Sequence, residues 1–160
     1  MLERFTLFCA ILSRLALWAA GVGLVTMAGC VAWLVIGRYV LNDSPTWTEP
    51  AVLLLMSWFI VLGAAVGVRE RDHLGFEVGL AVAPAPVAFA MRFGTEIAVG
   101  AFGVAMTWYG AALARGTWTD RTPMIGLPKG LDYVPMAIGG VLIALFSVEK
   151  LWRMLVAARE

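Results

Sequence analysis

Between Arg14 and Arg38 the chain runs through Leu15–Gly37 without a single charge. A bilayer-crossing helix needs about 20 mostly apolar residues, so this one stretch already directs the fold towards a membrane. The pattern recurs. A second run spans 50–68 and is closed by Arg69, Glu70, Arg71, Asp72 and His73. A third spans about 94–114, with Ile97–Ala114 uncharged, and a fourth about 131–150, with Tyr133–Val148 uncharged. Composition agrees: 61% of residues are hydrophobic and 14% charged, against about half and about a quarter in soluble domains. The expectation is an all-α integral membrane protein, residues 1–160 forming one domain with four transmembrane helices. Residues 74–91 are also apolar, but Glu77, Pro84 and Pro86 interrupt them. Two prolines so close together disrupt helical hydrogen bonding, so an interfacial segment is expected there and a fifth crossing is the alternative.

Basic residues set the orientation. With the N-terminus inside, Arg4, Arg14, Arg69, Arg71, Arg92, Lys150, Arg153 and Arg159 lie on the cytoplasmic side, against Arg38, Arg115, Arg121 and Lys129 outside. Both termini are therefore expected in the cytoplasm. Trp33, Tyr39, Trp47, Trp108, Tyr109 and Trp118 would form an outer aromatic belt, and Trp18 and Trp152 an inner one. Arg4 and Arg14 ahead of an apolar run resemble a signal peptide, and Met27-Ala28-Gly29-Cys30 resembles a lipoprotein box. The run continues through Val31–Gly37, too long for a signal core, which favours a retained anchor.

The formal charge of +1 leaves no basic surplus to hold nucleic acid. One His and two Cys leave little material for a metal site, haem ligation or a disulfide framework, and no cofactor is expected. Cys9 and Cys30 would stand roughly 30 Å apart on one helix, far beyond disulfide reach. A disulfide oxidase would need Cys-x-x-Cys, and a small multidrug exporter a carboxylate in its first span; the sequence has neither. Glu96 is the sole acidic residue inside a plausible span, one turn after Arg92. It reads as a near-interface ion pair with Arg92, the alternative being a proton or ion site. His73 reads as an interfacial turn residue, with a pH sensor or metal ligand as the alternative. Arg69 and its neighbours read as electrostatic anchors at the inner leaflet.

Gly63 and Gly67 make a Gly-x-x-x-Gly step in the second span, and Gly100, Gly103, Gly139 and Gly140 thin out the third and fourth. Such positions let helices approach closely, against one another or a partner. Thr46-x-x-Glu49 matches a capping box, with Glu49 expected at the third helical position and Pro50 following.

Three stretches, in this order and spacing, resemble the small membrane (Q) subunit of TRAP transporters, the tripartite ATP-independent periplasmic carriers. Trp47-Thr48-Glu49 is similar to that family's Trp-x-Glu-Glu at the start of its second helix, although the second Glu is Pro50 here. Leu62-Gly63-Ala64-Ala65, then Arg69 and His73, resembles its glycine-alanine run ending in a basic-histidine turn. Thr122-Pro123-Met124-Ile125-Gly126-Leu127-Pro128, then Tyr133 and Pro135, resembles the approach to its fourth helix.

The resemblance implies a non-catalytic scaffold in the bacterial inner membrane, within a sodium-coupled importer of an organic acid. Its partners would be a large membrane (M) subunit that carries the substrate and sodium sites, a periplasmic substrate-binding (P) protein, and membrane lipids. Within that frame Asp120, Arg121 and Lys129, set apart from the spans, are candidates for docking the periplasmic protein. An autonomous small transporter or channel, and an anchor for an enzyme complex, remain the other readings.

Overall fold

The computed structural model describes residues 2–43, 45–70 and 84–157. They form α1 (Leu2–Tyr39), α2 (Thr48–Glu70), α3 (Ala85–Gly116), a 3-10 turn (Lys129–Asp132) and α4 (Val134–Ala157). Each of the four α-helices is long and apolar enough to cross a membrane. The all-α, four-span membrane fold expected from the sequence is what the chain adopts.

α1 and α2 form one antiparallel hairpin, α3 and α4 another, and α4 packs in parallel against α2 between them. The seams follow from small side chains at heptad spacing. On α1, Cys9, Ser13, Ala16 and Ala20 are buried, and Gly23, Met27, Cys30, Leu34 and Gly37 continue the same alternation of three and four. That is the period of left-handed helix pairing. It also explains the two cysteines, which occupy one seam three heptads apart and are both free. On α3 the seam is Gly100, Gly103, Thr107, Gly110 and Ala114. A Cβ on Gly103 would lie 2.8 Å from the Ala144 nitrogen, and one on Gly140 would lie 2.6 Å from the Gly103 oxygen. Only glycine permits these backbones to approach so closely.

The helix bounds refine three expectations. α3 begins at Ala85, immediately after Pro84 and with Pro86 in its first turn, so the segment leading into the third span is helical from Ala85. N–H groups in a first turn have no acceptor to lose, which is why the prolines start this helix instead of breaking it. Residues 74–83, with Glu77, lie outside the described residues. α2 begins at Thr48, making Glu49 its second residue and Pro50 its third, so the capping-box register does not hold. Finally, α1 is 38 residues long and continues past Arg14 to Leu2. At about 57 Å it exceeds the ~30 Å hydrocarbon core, and its first turns run beside the end of α4, where the tilted rings of Phe5 and Trp152 lie with centroids 6.0 Å apart.

Candidate functional site

The charged groups of the described spans gather at the two ends of the bundle. Along α1, Arg14 and Arg38 are separated by about 36 Å; along α2, Glu49 and Arg69 by about 30 Å; along α3, Arg92 and Arg115 by about 35 Å. These separations match the thickness of a bilayer core, so two charge planes bracket an apolar slab.

At the plane nearer the chain termini, Glu149 of α4 is buried, at 2% exposure. Arg69 of α2 donates to it through Nε at 3.2 Å and through Nη2 at 3.5 Å, while Arg153 donates through Nη2 at 2.6 Å. The Arg69 guanidinium also lies 5.8 Å from the centroid of the Phe146 ring. Arg69 is thus tied into the bundle rather than left as a leaflet anchor, because a carboxylate buried on the neighbouring helix requires a cation. Ser13 of α1 donates to Glu70 of α2 at 3.5 Å, so this end joins α1, α2 and α4.

Glu96 also finds its cation across helices: Lys150 of α4 lies 3.6 Å away, whereas the side chain of Arg92, expected as its partner, is exposed. Glu149 and Lys150 are the residues that sequence reading missed. The buried face of α4 passes through Leu142 and Phe146, and one more step of three reaches Glu149. Extending that periodicity past the uncharged run would have found it. His73, singled out from its motif, lies outside the described residues.

At the opposite plane the loop between α3 and α4 folds back on itself. An isolated antiparallel bridge joins Arg121 to Pro128, the Thr122 nitrogen donates to the Leu127 carbonyl at 2.8 Å, and the Lys129 nitrogen donates to the Asp120 carbonyl at 2.9 Å. Arg121 Nη1 donates to the Gly126 carbonyl at 3.0 Å. At the tip Met124 and Gly126 take φ of 70° and 72°, and Met124 is 69% exposed. A left-handed methionine is strained backbone, tolerated here because the surrounding hydrogen bonds fix the turn. Pro123 is exposed near the tip, Pro128 half-buried at the base, and the side chains of Asp120, Arg121 and Lys129 are exposed. Ile125 and Leu127 line a small cleft with Pro50 and Leu54 of α2, so the loop rests on the start of that helix. Trp47, 46% exposed, and Glu49, also exposed, lie beside it.

Gly63 and Gly67 differ from the seam glycines. A Cβ on either meets nothing within 4 Å. They belong to a face of α2 on which Leu53, Met56 and Ile60 are exposed, and which, among the described residues, no helix covers closely.

A multi-pass membrane protein whose four spans hold their charge at the two ends is the class that this fold defines. Residues 27–157 match the family model for tripartite ATP-independent periplasmic transporters, DctQ component, and the chain belongs to that family. The family is a component of transporter permeases, not of enzymes. The chain is 24% identical over 148 residues to the C4-dicarboxylate TRAP transporter small permease protein DctQ of Vibrio cholerae, covering 76% of this chain and 62% of that protein. It is 20% identical over 132 residues to the sialic acid TRAP transporter small permease protein SiaQ of the same organism, covering 82% and 76%. The match thus spans less than two thirds of the first relative's length.

Proposed function

We propose that this chain is the fixed, non-catalytic small subunit of a sodium-coupled TRAP transporter that imports an organic acid across the bacterial inner membrane. Both termini face the cytoplasm, so the α3–α4 loop faces the periplasm. The observation that carries the reading is the distribution of polar groups. Ion pairs at one plane and a structured charged loop at the other bracket helices sealed by glycine, alanine and serine. Such an interior suits a rigid buttress better than an ion path, which needs polar groups near the midplane. Family membership supports the tripartite setting, and the names of the two relatives, C4-dicarboxylate and sialic acid, support an acid as substrate. The large membrane subunit packs on the exposed α2 face around Gly63 and Gly67. The periplasmic binding protein docks transiently on the loop, guided by Asp120, Arg121 and Lys129, since rim charges speed encounter more than they tighten binding.

The test is uptake by cells that lack the chain, combined with purification of the tagged chain from membranes that also hold the large subunit. Uptake is expected to vanish without the chain, to return with it, and to track stoichiometric recovery of the large subunit. Undiminished uptake in its absence would contradict the proposal.

A further inference from the structure

On the side of the bundle away from α1 and α2, the α3–α4 hairpin carries an apolar groove of about 540 Å³. That volume lies within the ~300–1,000 Å³ typical of clefts for small ligands. Its wall on α3 descends from Arg115 to Val104, about 16 Å, and α4 closes it through Ala144 and Val148. Small residues hollow it out: Ala111 and Ala112 of α3, and Ala144 of α4. Its one hydroxyl, that of Thr107, is already spent, donating to the Gly103 carbonyl at 2.9 Å. The groove is therefore dry along its length and cationic at one end.

We infer that this groove holds one acyl chain of an anionic phospholipid in the leaflet on the loop side, with the lipid phosphate on Arg115. The charge at its mouth favours a lipid over a helix of another protein. The Arg115 side chain is exposed where the phosphates of that leaflet lie, and its planar fork suits bidentate capture of phosphate. The exposed indole of Trp108, which also lines the groove, supplies a flat apolar flank for the chain. The inference requires only that α3 and α4 cross the bilayer, and holds whichever partners the chain has.

The test is native mass spectrometry of the full-length chain released from micelles containing phosphatidylglycerol, alongside two variants. Arg115→Gln removes the phosphate contact, and Ala112→Phe, at an exposed position, fills the groove without touching a packed seam. One phosphatidylglycerol is expected to stay on the native chain, with affinity falling roughly tenfold or more in each variant while helicity is unchanged. A photo-reactive residue at position 112 is expected to label lipid in intact membranes. Unchanged lipid retention in either variant, or labelling of a polypeptide instead of lipid, would overturn the inference.

Discussion

Arg69 near the end of α2 and Glu149 near the end of α4 meet at 3.2 Å, with the Glu149 side chain only 3% exposed. This pair fixes the level at which two parallel helices stand beside each other. Removing one partner of a buried pair typically costs about 3–5 kcal/mol, because the other charge is left stranded. Here Arg153 still reaches Glu149, and Arg69 is 19% exposed, so a smaller loss of about 1–3 kcal/mol is expected for Arg69→Leu. In detergent, thermal unfolding of Arg69→Leu, Glu149→Leu and the double variant should show a double loss smaller than the sum. Strict additivity would mean that the two side chains do not interact.

The two kinds of glycine should separate folding from assembly. Gly103→Leu forces atoms into the α4 backbone and should lower the stability of the isolated chain by roughly 1–3 kcal/mol or more. Gly67→Leu adds atoms where nothing lies within 4 Å, so the isolated chain should unfold as the native one does. In the complex the order should reverse, with Gly67→Leu losing the large subunit on purification. Recovery of a full complex with Gly67→Leu would turn that face towards lipid.

Orientation has a direct readout. Reporter fusions after Asp43 and Asp120 should be active only as periplasmic enzymes, and fusions after Glu70 and Val156 only as cytoplasmic ones. A cytoplasmic signal at Asp120 would place the α3–α4 loop on the wrong side for docking.

The loop charges are not equivalent. Arg121 helps to hold the turn through the Gly126 carbonyl, so its reversal alters loop structure as well as charge. Lys129→Glu is the cleaner probe. Uptake should slow when the periplasmic protein is limiting and recover as that protein is raised, with the membrane complex intact. A defect that persists at every concentration would point to structure rather than encounter.

Fold class was legible because the decisive signal is local: an uncharged run of the right length reads the same in any context. The positions of the prolines were legible too, but not their meaning, because Pro84 and Pro86 break a helix interior and begin a helix with equal ease. The ion pairs were legible only in part. Arg92 and Glu96 share a helix, so their spacing suggested a pair, whereas Lys150 lies far along the chain and reaches Glu96 only through α3–α4 packing. The Gly63–Gly67 step stands out as a motif, yet the close contacts between α3 and α4 fall at Gly103, Gly110 and Gly140, where spacing of three and four continues along α3 over several turns. The same extended period on α1, from Cys9 to Gly37, was present in the sequence and outweighs any single short motif.

The most direct measurement is acid uptake into proteoliposomes under an imposed sodium gradient, with the chain alone and with the large subunit and periplasmic protein added. The chain alone is expected to bind and move no dicarboxylate or sialic acid, while the three proteins together transport, and omission of the chain abolishes that transport. Substrate movement by the isolated chain would contradict the scaffold role and mark it as a transporter in its own right.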